Sequence, residues 1–248
     1  MTETFFSWPH IAEVLPDLLR TGLVNTLILA GASAVLGTLL GLVLAVMGLS
    51  TSRWLRWPAR VYTDLFRGLP AIVTILLIGQ GLAIVARPLF GTDPYPLGIL
   101  ALSLVAAAYI GEIFRSGIQS VDRGQLEAAR ALGMTYRSAM AKVVVPQGIR
   151  RVLPALVNQF IALIKDSSLV YFLGLLADQR DLFRIGQDAA ATSGNLSPLV
   201  AAGLVYLAIT VPLTHLVNRI DRRLRTGRPV QGGDEDEPAG VPALAVRA

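Results

Sequence analysis

The stretch LVNTLILAGASAVLGTLLGLVLAVMGLSTS, Leu23–Ser52, runs for 30 residues without a charged side chain. About 20 apolar residues suffice for a helix to cross roughly 30 Å of hydrocarbon, so this stretch alone predicts a membrane span. Four further stretches are similarly apolar, and only the third of them contains charges, Lys165 and Asp166: Leu69–Ala86, Pro94–Gly111, Val152–Ala177 and Ala189–Asn218. No alternating strand pattern accompanies them, so the sequence predicts an all-α, polytopic membrane protein with five transmembrane helices.

The composition agrees with a membrane protein. Of 248 residues, 53% are hydrophobic and 16% are charged, whereas soluble domains average about 25% charged. The net charge of +5 could suggest nucleic acid, but the charges lie between the apolar runs. We therefore expect the chain to lie in a lipid bilayer and not to bind nucleic acid. Cysteine is absent, which excludes disulfides and thiolate metal sites.

The basic residues predict an orientation. Of 22 Lys and Arg residues, 17 lie in the loop between spans one and two, the loop between spans three and four, and the C-terminal tail. The positive-inside rule places these segments in the cytoplasm and the N-terminus outside. We therefore expect three parts: an extracytoplasmic amphipathic segment at residues 1–22, the transmembrane domain at residues 23–223, and a disordered cytoplasmic tail at residues 224–248.

Motifs for catalysis are missing from the sequence. It contains no GxxxxGK[ST], GxSxG or HExxH pattern, and its two histidines, His10 and His215, are far apart. We therefore expect no enzyme activity, no cofactor and no metal site. Any ATP-driven process would need a separate nucleotide-binding subunit.

The loop between spans three and four, residues 120–151, carries helix-terminus signals. Asp122 is placed to cap a helix that ends at Gly133. Thr135 can cap a second helix, which Pro146 would interrupt or end. These signals predict two short helices held rigidly between two spans. The alternative is an ordinary amphipathic surface helix.

The residues of this loop follow a spaced pattern. It reads EAA at Glu127, Ala128 and Ala129, then Gly133, Val143, Val145 and Pro146. This pattern resembles the EAA loop of ABC importer permeases, with Val at two positions where that family has Ile and Leu. Three further stretches are similar to permeases of the polar amino acid uptake family: RGLP at 67–70, YIGEIFR at 109–115 and IKDSSL at 164–169.

The resemblance implies a type I ABC importer permease fold in a bacterial inner membrane. It also implies four kinds of partner: a cytoplasmic ABC ATPase dimer, a second permease chain that is identical or related, an extracytoplasmic amino-acid-binding protein, and lipid. Coupling to the ATPase would fall to the EAA-loop residues Glu127, Ala128, Ala129, Gly133 and Pro146.

Ionisable residues within the spans are costly, by roughly 2.5–3.5 kcal/mol each on insertion scales, so Lys165 and Asp166 should face protein or water. With Ser167 and Ser168 they are candidates for the translocation path or its gate. The structural alternative is that Lys165 and Asp166 each bond a neighbouring helix or backbone groups freed near Ser167 and Ser168.

Glu112 and Arg115 lie three residues apart at the inner end of span three. Their spacing places both on one helical face, where we expect them to brace the EAA loop against the spans. Arg115 as a plain membrane-interface anchor is the alternative.

Two other classes of protein compete with the permease hypothesis. A secondary transporter or channel would use ionisable residues inside the membrane, and the adjacent Lys165 and Asp166 point about 100° apart on a helix and form no relay. A non-transporting membrane scaffold would not require the EAA pattern. Uptake that stops when a partner's ATP hydrolysis is blocked would separate the permease from both.

Overall fold

The structure is a computed structural model that describes residues 2–225. Every regular element in that range is helical, as the sequence predicts. The predicted tail lies outside the described residues from position 226 onward. The α-helices are α1 Thr2–Phe5, α2 Trp8–Asp17, α3 Leu23–Leu49, α4 Arg53–Gly68, α5 Ala71–Gly81, α6 Ala83–Phe90, α7 Tyr95–Gln119, α8 Arg123–Ala131, α9 Tyr136–Ala139, α10 Val145–Asp166, α11 Leu182–Ser193 and α12 Ser197–Arg225.

Four helical segments within residues 2–225 are long and apolar enough to cross a membrane, and a bent pair makes a fifth crossing possible. The four are Trp8–Leu49, Tyr95–Gln119, Tyr136–Leu173 and Ser197–Arg219. They account for spans one, three, four and five of the sequence analysis. The architecture of four or five spans is therefore confirmed, and the differences lie in where helices bend and break.

Span two is not the straight helix that the apolar run at 69–86 predicts. The α4 and α5 helices meet at 106°, and α5 alone has 11 residues, which cover only about 16 Å. Leu69 is extended, with ψ 140°, because the ring of Pro70 disfavours helical backbone at the preceding residue. The crossing therefore needs the bent pair.

Spans four and five also differ from the predicted runs. The helical segment of span four starts at Tyr136, before the apolar run, and Pro146 does not end it. A wider π-turn at Met140–Val144 precedes Pro146, and such turns absorb the strain of a residue that lacks an N–H. The run at 189–218 is divided between α11 and α12, because Gly194 takes a left-handed conformation with φ +65° and ends α11.

Small residues allow α3 and α7 to cross closely. A Cβ on Gly37 would lie 2.7 Å from Ala106 Cβ, and one on Gly41 would lie 2.9 Å from Gly111 N. The GxxxG spacing of Gly37 and Gly41 is therefore an interhelical contact. This crossing lies beside the main apolar core, in which Leu29, Leu102 and Ile164 are buried.

The N-terminal segment is helical and continuous with the first span. A π-turn at Leu18–Gly22 joins α2 to α3 without a break. Val14 and Leu18 are buried in a second apolar cluster with Leu182 and Ala202 of α11 and α12. Phe6 and Trp8 stay exposed on the other side, which suits an interfacial amphipathic segment.

Candidate functional site

The two ends of the 120–151 loop are fastened together at its base. A Cβ on Gly148 would lie 2.9 Å from Ile118 Cα, and a Cβ on Gly117 would lie 2.9 Å from Gly148 O. The α7 and α10 backbones therefore approach closely where the loop begins and ends. Arg151 also donates a hydrogen bond to the carbonyl oxygen of Ser120. The loop consequently projects from a rigid base.

Local hydrogen bonds set the ends of α8 and α9. Asp122 Oδ1 accepts from the Gly124 N–H at 2.6 Å, and Thr135 Oγ1 accepts from the Ser138 N–H at 3.3 Å. At the end of α8 the Gly133 N–H donates to Arg130 O and the Met134 N–H to Ala129 O, at 3.0 and 3.2 Å. With Gly133 at φ +87°, these bonds form a Schellman motif. The predicted helix caps are confirmed.

The EAA residues do not all face outward. Glu127 and Ala128 are exposed, whereas Ala129 is only 5% exposed. The α8 helix rests on the π-turn segment that follows α9, so Ala129 lies on the side that the chain itself covers. The assignment of the EAA residues to ATPase coupling stays a prediction, but Ala129 does not lie on the exposed surface of α8. Its small side chain instead lets α8 lie close to the rest of the loop.

Two apolar side chains on the loop were missed by the sequence analysis. Leu132 is 86% exposed and Tyr136 is 58% exposed, on either side of the exposed Gly133. Pro146 is also exposed, in the first turn of α10. Exposed Leu and Tyr on a polar projection are typical of a docking surface. The signal in the sequence was a large apolar residue at a helix terminus beside Gly.

A polar stripe follows the outside of α10. Arg151, Asn158 and Lys165 are spaced by seven residues, which places them on one helical face, and all three are exposed. From Arg151 to Lys165 the helix rises about 21 Å, within a hydrocarbon layer of about 30 Å. An exposed polar face at this depth cannot lie against lipid tails without a large cost. It must face a partner chain or water.

At Lys165 and Asp166 the α-helix ends and a tighter 3₁₀ helix, Ser167–Leu173, begins. Ser167 Oγ donates to Ile164 O at 2.8 Å, and Ser168 Oγ donates to Lys165 O at 2.7 Å. The two serines therefore bond backbone carbonyls at the end of α10. Lys165 is exposed and Asp166 half-buried, and neither side chain has a hydrogen bond or ion pair within residues 2–225.

Glu112 and Arg115 form the ion pair that their spacing predicts. Arg115 Nη1 also donates to Gln119 Oε1 at 2.7 Å, so the bonds of this arginine stay on α7. The pair lines a cavity between the ends of α3, α4 and α7 that lie near the 120–151 loop. Direct bonds from α10 to this loop are made by Arg151, to Ser120, and by Gln147, to Gln125. Bracing of the loop by Glu112 and Arg115 stays a prediction.

At the opposite end of the molecule, a buried carboxylate was missed. Asp181 is fully buried, caps α11 by accepting from the Arg184 N–H at 2.9 Å, and accepts from Tyr206 Oη at 3.3 Å. Thr26 Oγ1 accepts from the neighbouring Leu182 N–H at 3.1 Å. Burial raises the pKa of the Asp181 carboxyl to about 6, against the opposing effect of its hydrogen bonds. We call Asp181, Thr26 and Tyr206 the outer cluster.

Apolar spans, a rigid two-helix projection and a polar stripe within one span define a membrane permease. The chain matches the binding-protein-dependent transport system inner membrane component family over residues 37–226, and it belongs to that family. It is a multi-pass inner-membrane permease subunit of an ABC importer that works with ATPase subunits.

Named relatives and a solved structure agree with this family. The arginine transport system permease protein ArtQ of Bacillus subtilis is 38% identical over 86% of this chain and 94% of that one. The glutamate/aspartate import permease protein GltK of Escherichia coli is 37% identical over 88% and 98%. A chain in the crystal structure of an amino acid ABC transporter with histidines shares 34% sequence identity with this chain. The match covers 87% of this chain and 98% of that one, with a TM-score of 0.77.

The fold extends to more distant proteins. Inward-facing structures of the MetNI methionine ABC transporter share 21% identity and a TM-score of 0.71 over 84% of this chain, which shows the common fold. The predicted type I ABC importer permease fold is thereby confirmed. The channel, secondary-transporter and scaffold hypotheses do not hold for this chain.

Proposed function

We propose that the chain forms half of the path of an ATP-driven importer of polar amino acids, with the α10 stripe lining that path. The observation that carries this proposal is an exposed, unpaired Lys165 about 21 Å along α10 from Arg151. A polar amino acid carries a carboxylate and an ammonium group, which complement Lys165 and Asp166 respectively. The named relatives that import arginine or glutamate and aspartate support this class of substrate.

A second permease chain, identical or related, completes the path. The stripe of Arg151, Asn158 and Lys165 is open on the single chain, and a partner across it would shield these side chains from lipid. An extracytoplasmic binding protein delivers the amino acid to the outer end. The N-terminus lies outside and the loop at 120–151 lies in the cytoplasm, which the distribution of Lys and Arg supports.

Coupling runs through α8 and α9. Each loop docks in a groove of one subunit of the cytoplasmic ATPase dimer, with Glu127, Ala128, Leu132 and Tyr136 as the exposed contact residues. ATP binding draws the two ATPase subunits together, and the fastened base at Gly117, Gly148 and Arg151 transmits the movement to α7 and α10. Hydrolysis then resets the spans. A slack loop would absorb this displacement.

Replacement of Lys165 tests the path. In the purified complex with its ATPase, reconstituted in vesicles, we expect Lys165→Met to reduce amino acid uptake at least tenfold while assembly is unchanged. The matched control is Arg20→Met, which removes an exposed cation at the other end of the chain. Normal uptake by Lys165→Met would show that the stripe is not the path. Loss of uptake in both variants would show an effect of charge alone.

A further inference from the structure

A charged cavity lies between the inner ends of α3, α4 and α7, and Gln119 in its lining is next to the start of the loop at 120–151. Its volume is about 510 Å³, and its charged lining residues are Arg56, Arg60, Asp64, Arg67, Glu112 and Arg115. Four of these come from α4, at spacings of three and four residues, so one face of that helix is turned into the cavity. We call this the arginine cavity.

Positive charge in the arginine cavity exceeds negative charge. Glu112 neutralises Arg115 through their ion pair, and the Arg67 guanidinium lies 5.5 Å from the centre of the Tyr109 ring. The side chains of Arg56 and Arg60 have neither an ion pair nor a hydrogen bond within the described part of the chain. Asp64 also lines the cavity, but its carboxylate forms no ion pair within the described residues. Guanidinium groups that converge on one space with too few carboxylates to pair them favour an anion with several acceptor oxygens.

Apolar surface adjoins the arginine cavity. On α4, the exposed Trp54, Trp57 and Val61 lie on a different face from the arginines. On α3, Val43 and Val46 are 56% and 69% exposed beside the cavity residues Leu44 and Gly48. Trp rings at the end of a span are typical of the membrane interface. An anion bound here would have lipid-facing surface next to it.

We propose that the arginine cavity binds the phosphate headgroup of an anionic phospholipid from the cytoplasmic leaflet. Its phosphate and glycerol oxygens bond Arg56 and Arg60, and its acyl chains lie along the exposed face of α3. A soluble phosphate would satisfy the arginines but would leave the apolar surface unused. Basic pockets between spans on the cytoplasmic side suit anionic headgroups for this reason. The bound lipid wedges α4 against α3 and α7, next to its 106° bend with α5.

Native mass spectrometry of the complex tests this proposal. The complex is purified from nanodiscs that contain equal amounts of phosphatidylglycerol and phosphatidylcholine. We expect the wild type to retain phosphatidylglycerol at least tenfold over phosphatidylcholine, and Arg56→Gln/Arg60→Gln to lose that preference. Arg53→Gln is the matched control, because Arg53 is exposed on the same helix but does not line the cavity. It should retain the preference.

Three outcomes would overturn the proposal. If Arg53→Gln loses the preference for phosphatidylglycerol as fully as the double variant does, the lipid is held by general surface attraction. If the double variant keeps the wild-type preference, the arginine cavity is not a lipid site. If millimolar inorganic phosphate displaces the lipid, the cavity is a site for a free anion. If the double variant fails to assemble, Gly48→Leu replaces it, because a side chain there enters the cavity beside Arg115 without removing a charge. It should also lose the preference.

Discussion

The loop at 120–151 and the outer cluster lie at opposite ends of the molecule, and their hydrogen bonds join residues at very different separations in the sequence. In the loop, each capping bond joins residues two to five positions apart, as from Asp122 to Gly124 or from Met134 to Ala129. In the outer cluster, Leu182 and Thr26 are 156 positions apart, and Tyr206 reaches Asp181 from another helix. Bonds between near neighbours fix the ends of α8 and α9 without a contribution from other helices. Distant bonds fasten helices together.

The largest effect should come from the loop. Gly133→Leu forces a side chain into the left-handed region at φ +87°, at a cost of about 1–2 kcal/mol. We expect the Schellman turn to open and uptake to fall at least tenfold, with less ATPase retained in pull-down from membranes. No atom beyond the neighbouring residues lies within 4 Å of a Cβ at Gly133, so overlap of that Cβ with the rest of this chain does not explain the loss.

The matched control for this change is Gly31→Leu. Its Cβ would also meet open space, but the backbone there is ordinary α3 helix. It should leave uptake unchanged. Normal uptake and ATPase binding in Gly133→Leu would contradict the idea that local turn geometry couples the two subunits.

Replacement of Asp181 in the outer cluster should change the stability of the fold by an intermediate amount that depends on pH. Because the pKa of Asp181 is raised to about 6 in the fold, its contribution to stability is full below the unfolded value near 3.9 and is lost as pH rises through 6. The difference between a pKa of about 6 and the ordinary value near 3.9 corresponds to roughly 3 kcal/mol at most. Asp181→Asn keeps an N-cap oxygen and stays neutral, so this loss of stability between pH 4 and 6 should disappear.

Thermal unfolding of the detergent-solubilised complex at several pH values measures this effect. Asp188→Asn is the control, because it removes a more exposed carboxylate from the same helix, where Asp188 pairs with Arg184. The Asp188 variant should keep the wild-type slope between pH 4 and 6. If Asp181→Asn keeps it too, the outer cluster does not cause the pH dependence.

The smallest effect should come from a single local cap. Thr135→Ala removes the oxygen that accepts from the Ser138 N–H, and loss of such a cap costs about 1 kcal/mol. We expect a small fall in ATPase affinity, since α9 is the first turn of the helical segment Tyr136–Leu173 and this turn frays without its cap. Thr135→Ser keeps the oxygen and should bind the ATPase as the wild type does. Equal binding by the Ala variant would show that docking, not the cap, orders α9.

Much of the fold could be predicted from the sequence, because the membrane spans follow from the number and length of the apolar runs. Uncharged runs of sufficient length predict spans, and Asp122, Gly133 and Thr135 mark helix termini through bonds to their own neighbours. The helix breaks were less accessible. Leu69 and Gly194 lie at the edge of, or inside, apolar runs, where hydropathy gives no signal of a bend or a turn.

The sequence by itself determined that this is a membrane protein, the number of crossings to within one, and the capped loop, since each depends on composition or on contacts between near neighbours. The permease class followed from the resemblance of the spaced motifs to a known family. Only the tertiary structure decided that Ala129 faces inward, that Leu132 and Tyr136 face outward, and that Asp181 is buried against Thr26 and Tyr206. Burial is a property of what other helices cover. No residue's own neighbourhood in the chain contains that information.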